Sequence, residues 1–455
     1  MFFKIKIKIY FLIGIITVKN GKIMKIYNYP SAAAEEKINA TLERGLGFSE
    51  ADYRNVNAFI EDVKLRGDAA LVEYTNRFDS KAVNESNLLV TEEEFAHAEN
   101  NVSAKFLRAL DRAVDQLESF HISQKEKSWF DTPRNGVIVG QMVRPVDGAG
   151  IYVPGAKGGK TPLVSSVLMG GIPAKIAGVE SRILMTPPME DGRINPCILA
   201  AAKKVGITSV FKAGSAWAIA ALAYGTDQVP KVNVIVGPGN IYVTLAKKIV
   251  SGIVGIDMIA GPSEILILAD NSADPEFIAA DLLSQAEHDA RASAVLVTDS
   301  NDIAEQTQKA LKNQISKLSR REISEKSIKD FGYIMVVYDI ETAIALANRL
   351  APEHLELLVK EPFAHVGKIR NAGAVFLGHY TPEPVGDYVA GPNHVLPTAG
   401  TAKFSSALSV ENFTKKTSII NYSEKAFKEE ADDIITMAET EGLDAHANSI
   451  KIRKK

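Results

Sequence analysis

From residue 150 onward the chain consists of short, uninterrupted apolar runs separated by helix-length segments, and this alternation limits what it can fold into. Residues 150–153, 182–185, 209–212, 232–236, 265–269, 294–298, 333–338 and 374–377 read as strands. Residues 163–177, 196–205 and 303–318 read as helices between them. Runs that are apolar throughout, rather than at every second position, suit strands covered on both faces. Strand–helix–strand repetition then predicts an α/β chain with parallel sheets. Residues 30–130 differ: they are charged, with helix-spaced apolar positions such as Val63, Leu71, Tyr74 and Phe78. Beyond about residue 380, Pro382, Pro384, Gly386, Gly391, Pro392 and Pro397 predict an irregular loop. A last helix is expected over 424–439, with Phe427, Ala431, Ile434 and Ala438 on one face and Gly442 ending it. There is no internal repeat and no low-complexity linker.

A chain of 455 residues exceeds one ordinary core, so two or three domains are expected. The net charge of −3 comes with no basic stripe, which argues against nucleic acid as a partner. The single cysteine, Cys197, can form neither an internal disulfide nor a thiolate cage. A reducing cytoplasm is therefore compatible, and any metal must be held by His, Asp, Glu or Gln. At the N-terminus, Lys4, Lys6 and Lys8 precede an apolar run over 9–18. That run is far shorter than the roughly 20 residues needed to span a bilayer, and no small-residue cleavage site follows. Residues 1–23 read as an upstream extension, with no membrane association expected.

Residues 274–288 read as a helix capped by Asp274, with Pro275 in its first position. Gln285 and His288, three residues apart, share a face near its end, with Cβ atoms about 5–6 Å apart, the scale of one metal ion. Asp281 lies on the same face and is the more conventional ligand; periodicity does not choose between it and Gln285. The plainer reading of such a pair is solvated helix surface. Further ligands would come from Asp387 and His394 in the Gly/Pro-rich loop and from His446 after the last helix. His97, His121 and His365 read as surface residues, and His379 borders the loop.

In the sequence Ala351-Pro352-Glu353-His354-Leu355 a carboxylate adjoins an imidazole. Chemistry on an alcohol or carbonyl needs a group that exchanges protons near neutral pH, and a nearby glutamate can activate water. Adjacent Glu-His pairs are also common as solvated residues at element ends. Residues 154–161, Pro-Gly-Ala-Lys-Gly-Gly-Lys-Thr, nearly spell a phosphate-binding P-loop, but Pro154 stands where the first glycine belongs and removes a donor. Gly237-Pro238-Gly239-Asn240 sits at a strand–helix junction, where a ligand can approach the backbone; a tight turn explains it equally well.

Taken in order, the segments GIYVPG (150–155), VGPGN (236–240), AGPSEILILAD (260–270), LLSQAEH (282–288), APEHLEL (351–357), GDYVAGPNHVLPT (386–398) and SSALSV (405–410) make the chain resemble the histidinol dehydrogenase family from about Met24 to the end. The resemblance implies two incomplete Rossmann-like domains with parallel-rich sheets and small terminal extensions, intertwined as a homodimer with shared active sites. The implied division is an arm over 24–47, a discontinuous main domain over 48–150 and 263–405, a second, NAD-binding domain over 151–262, and a tail over 406–455. It implies zinc held by Gln285, His288, Asp387 and His446, and Glu353 with His354 as the catalytic pair. Ser263, Gln285, His288, His354, Asp387, Glu441 and His446 match substrate-contacting positions, Glu383 and His394 match polar residues lining the site, and Tyr152 and Asn240 match NAD contacts. The implied reaction is NAD-dependent oxidation of L-histidinol to L-histidine, the end of histidine biosynthesis. Two positions depart from the family pattern. Trp217 stands where glutamine usually contacts NAD, and Ala407 replaces a glycine. Two rival functions have local support: a zinc hydrolase using Glu353 as base, and a P-loop-like nucleotide-binding protein.

Overall fold

The computed structural model describes residues 23–45, 47–155 and 161–454. The expectations for the N-terminal extension, and for most of the P-loop-like segment, lie outside the described residues. In chain order the strands are β1 (Lys25–Asn28), β2 (Trp129–Arg134), β3 (Val137–Pro145), β4 (Gly148–Tyr152), β5 (Ser181–Thr186), β6 (Ser209–Lys212), β7 (Val234–Val236), β8 (Gly255–Ile256), β9 (Glu264–Ala269), β10 (Ser293–Thr298), β11 (Tyr333–Val336), β12 (His354–Leu358), β13 (Ala374–Leu377) and β14 (Thr414–Tyr422).

Parallel pairing dominates, as the uninterrupted apolar runs require. One sheet has the order β1-β11-β10-β9-β12-β13 and a second the order β6-β5-β4-β7-β8, with every pairing parallel. Each is buried on both faces. The helices Pro275–Ala286 and Asn301–Ile315 put Ile278, Leu282, Ile303 and Leu311 on one side of the first sheet. Ile344, Leu346 and Ala347 of the helix Ile340–Leu350 cover the other. Each fully buried Leu or Ile contributes about 1.5–3 kcal/mol to the fold. As expected, Asp274 caps its helix by accepting a hydrogen bond from Glu276 N at 2.8 Å.

Several features differ from the sequence reading. β12, which begins at His354, was not anticipated; neither was β1, the edge strand beside β11. A third sheet, β14-β3-β2, is antiparallel. His121, read as surface, is fully buried, and its Nδ1 lies 2.7 Å from Gln124 Oε1. The helix Glu424–Thr440 turns Ala426, Ala431 and Ala438 inward while Ile434 stays exposed, and a further helix, Asp444–Lys454, follows it. The helices Glu50–Arg66 and Asp68–Phe78 pack their Val56, Ile60 and Leu71 in one cluster with Tyr152 of the second sheet and Trp217 of the helix Ser215–Tyr224.

Candidate active site

Strand order singles out two crevices. In the second sheet the chain winds from β4 through β5 to β6, then restarts on the other side of β4 with β7. The carboxyl ends of β4 and β7 therefore form a switch point, where open α/β sheets take ligands. Tyr152 ends β4, and the Gly237–Asn240 turn follows β7. In the first sheet the corresponding switch lies between β9 and β12, but here the functional groups cluster at the amino edge. Ser263 immediately precedes β9, its carbonyl accepting from Ser293 N at 3.0 Å, and Glu353 and His354 open β12.

Backbone pairing of β12 with β9 fixes the acid–base pair. Glu264 N donates to Glu353 Oε2 at 2.9 Å, and Glu264 O lies 2.9 Å from His354 Nδ1. A carbonyl can only accept, so Nδ1 carries the proton and Nε2 is left with its lone pair. Both side chains are buried. Burial lowers the His354 pKa to about 4, against the opposing pull of Asp387, so the imidazole is a neutral base. Burial, with the charges of Glu264, Asp387 and Glu383, pushes the Glu353 carboxyl well above its usual range.

Beside this pair, ligand atoms of His288, Glu383 and Asp387 all lie within 4.8 Å of one another. Gln285, one turn before His288, is 1% exposed, and its Oε1 has no hydrogen-bond partner; His394 Nε2 is likewise buried and unpartnered. Burial, the neighbouring Asp387 charge and a hydrogen bond to Asp387 raise Glu383 to about 8. Unpaired lone pairs converging with crowded carboxyls form the donor set that a divalent cation such as zinc would satisfy. Asp281, the sequence alternative to Gln285, instead pairs with Glu356, and burial raises it to about 6. Glu356 was missed by the sequence reading. It is fully buried, its Oε1 accepts from Glu383 N at 2.8 Å, and burial with the Asp281 charge pushes its carboxyl well above the usual range. The only signal for it was a charged residue inside an otherwise apolar segment.

The three residues that the resemblance ties to NAD gather at the other crevice. The Tyr152 hydroxyl accepts from Ser215 N at 3.0 Å, and Asn240 Oδ1 caps the helix Ile241–Val250 by accepting from Tyr242 N and Val243 N. Trp217 and Asn240 line a cleft of about 600 Å³, together with Phe59, Phe78, Asp79 and Ser215. Small-molecule sites occupy about 300–1,000 Å³. The turn before Asn240 is clamped: Gly237 N donates to Asp257 Oδ2 at 2.8 Å, and Lys247 Nζ donates to Gly237 O at 2.9 Å. Gly237 has φ +119°, and a Cβ there would fall 2.1 Å from Tyr152 O, so only glycine lets the two strand ends approach. Trp217 stacks on Phe78 at 5.2 Å and also contacts Phe59 and Tyr74.

Glu441 and His446 do not join either crevice within this chain. Both are exposed, His446 on the helix Asp444–Lys454, and His446 is outside the group formed by His288, Glu383 and Asp387. Among the described residues no helix is long and apolar enough to cross a membrane.

Two parallel sheets, one presenting a dry acid–base pair beside cation-type ligands and the other a ligand cleft at its switch point, define a two-site α/β enzyme. The chain matches the family model for histidinol dehydrogenase over residues 46–454. It is 54% identical over 430 residues to histidinol dehydrogenase of Desulfotalea psychrophila, covering 94% of this chain and 99% of that one. With the Bacillus subtilis enzyme of the same name it shares 49% over 425 residues, covering 93% and 98%. The crystal structure of histidinol dehydrogenase from Elizabethkingia anophelis superposes with a TM-score of 0.89 at 39% identity, covering 95% and 98%. The chain belongs to the histidinol dehydrogenase family and is an oxidoreductase.

Proposed function

We propose that this chain oxidises L-histidinol through L-histidinal to L-histidine, with two NAD molecules as hydride acceptors and a zinc ion at the substrate site. The observation that carries this reading is the gathering of His288, Glu383 and Asp387 within electrostatic reach of a neutral His354, with Gln285, one turn before His288, leaving its buried Oε1 unpartnered. Gln285, His288 and Asp387 would hold the metal, with His446 of the partner subunit as the fourth ligand. When bound, zinc supplies a Lewis acid that orients the amine and imidazole of histidinol.

His354 Nε2 takes the hydroxyl proton while the carbinol hydride leaves to NAD, a dinucleotide that Tyr152, Trp217 and Asn240 would help to hold. The resulting aldehyde stays in the site. Glu353, a stronger base for being buried, removes a proton from water as the oxygen adds to the aldehyde carbon. The hydrate then loses a hydroxyl proton and its second hydride, giving the carboxylate. Over both oxidations one water is consumed and three protons are released. Ser263, Glu383 and His394, with Glu441 of the partner subunit, would line the substrate position. Holding both steps in one dry site keeps the aldehyde from side reactions.

The test is NADH absorbance on adding histidinol to the purified protein, with and without a chelator. Chelation should abolish turnover and zinc should restore it, and His288→Ala should emerge with little bound metal by elemental analysis. Full activity in a metal-free preparation overturns the zinc assignment. Absence of NADH formation from metal-loaded protein would turn the reading toward a zinc hydrolase acting through Glu353.

A further inference from the structure

The mechanism leaves one half-buried carboxylate in the cofactor cleft without a task. Asp79 is the residue that ends the helix Asp68–Phe78, its backbone N donating to Thr75 O at 2.8 Å. The C-terminal end of a helix carries partial negative charge, so a carboxylate there is disfavoured and a cation would be the stabilising choice. Asp79 Oδ2 is buried and has no hydrogen-bond partner. Burial raises its pKa to about 6, below neutrality, so the group is ionised under physiological conditions. A carboxylate with one buried, unpaired oxygen at the C-terminal end of a helix weakens the fold locally. Such an arrangement is understandable where a ligand supplies the missing donors.

The surroundings specify the ligand. Asp79 shares the cleft with Phe59, Phe78 and Trp217, and Phe78, one face on Trp217, remains 45% exposed. The Arg77 guanidinium also lies over the Phe78 ring, 5.1 Å from its centre, so exposed aromatic surface and a cation together would meet a purine ring. The helix Ser215–Tyr224 starts at the same cleft with no side-chain cap on its first turn, leaving backbone N–H groups and the positive end of its dipole for a pyrophosphate. Ser215 itself has φ +52°, a strained conformation that aims this helix start. Gly214, just before it, leaves room beside the carboxylate: a Cβ there would lie 3.5 Å from Asp79 Oδ2. None of these elements carries the acid–base pair or the cation-type ligands, so this is the end of a dinucleotide remote from the reacting ring.

Building on the assignment of NAD to this cleft, we infer that Asp79 receives the adenosine ribose of the dinucleotide. Its carboxylate accepts hydrogen bonds from the 2′- and 3′-hydroxyls and excludes the 2′-phosphate of NADP. A carboxylate matches a vicinal diol, and its charge opposes a phosphate at the same point. Asp79 is thus a specificity-determining residue, acting on affinity and not on the chemical step.

The experiment is calorimetric titration of the full-length protein, its Asp79→Asn and Asp79→Ala variants, with NAD, NADP and histidinol separately. Because Oδ2 has no internal partner, both variants should fold, which circular dichroism checks. Expected are a roughly tenfold or greater loss of NAD affinity in both, a smaller loss or a gain for NADP, and unchanged histidinol binding. NAD affinity equal to wild type in either folded variant overturns the assignment of Asp79 and leaves the cleft's role intact. If the wild-type protein fails to bind NAD, the underlying reading of the cleft falls and this inference falls with it. Equal loss for NAD and NADP removes the discrimination and so also overturns the proposal.

Discussion

At the scale of single residues, one backbone segment governs the chemistry. Glu264 does not face substrate with its side chain, yet its N–H and C=O hold Glu353 and His354 respectively. The two side chains proposed as catalytic therefore stay in place only while β9 and β12 remain paired. Their roles separate on substitution. Glu353→Gln should spare oxidation of histidinol to the aldehyde more than oxidation of supplied histidinal, by about 10²–10⁴-fold for loss of a general base. His354→Ala should damage both steps. Single-turnover NADH formation decides, and equal loss in both steps for Glu353→Gln would remove its role as base for water. The Glu264 carboxyl gives a separate prediction about stability. Burial raises its pKa to about 7, against the opposing charge of Arg44. The folded state then holds a proton that the unfolded chain releases near the ordinary value of about 4.3. Stability contributed by that proton is present at acid pH and lost as pH rises toward 7. Glu264→Gln should reduce this decline, raising Tm at pH 8 relative to wild type while both backbone hydrogen bonds persist. An unchanged Tm–pH profile would show the carboxyl to be ionised in the fold.

At the scale of elements, Trp217 shows how the start of a helix can carry part of a cleft wall. Its indole lines the cleft and is largely buried among Phe59, Tyr74 and Phe78, so it also holds that wall in place. Trp217→Gln should cost on the order of 3 kcal/mol in denaturant unfolding, as for other large-to-small aromatic replacements in cores. The loosened wall should raise the KM for NAD more than that for histidinol. An NAD constant that does not change would separate the aromatic cluster from the cofactor site. The strands legible in the sequence were those with an unbroken apolar run inside them, such as β9 and β10. β12 was hidden because His354 opens it and Glu356 interrupts it, so function removed the very pattern that marks a buried strand. β14, with Lys415 and Lys416, carries its pairing to β3 in backbone hydrogen bonds that leave little trace in composition. The helical spacing of Gln285 and His288 was readable, but not the return of Glu383 and Asp387 to the same point. That convergence depends on β13 and the helix Glu383–Tyr388 folding back over β12, a long-range contact with no local signature.

At the scale of the whole molecule, the tail raises a question of which subunit it serves. The third sheet and the two C-terminal helices leave apolar side chains in solvent: Ile420 is 71% and Met437 63% exposed, and Trp129, Phe130, Leu443 and Ile452 are exposed as well. Association would cover apolar surface of this kind. Glu441 and His446 lie on the same tail and away from their proposed partners in this chain. A two-fold dimer in which each tail completes the site of the other subunit accounts for both facts. Mixing two inactive variants, His288→Ala and His446→Ala, by joint denaturation and refolding tests it. If the tail acts in trans, a mixed dimer has one site built from intact His288 of one chain and intact His446 of the other, and one site with both lesions. Random pairing makes half the dimers mixed, so roughly a quarter of wild-type sites should return. If the tail folds back on its own subunit, every site keeps one lesion and mixing restores nothing. Wild-type protein carried through the same refolding sets the attainable recovery, and size-exclusion chromatography of each sample confirms that dimers reform. Good wild-type recovery with no activity in the mixture would confine each active site to a single chain.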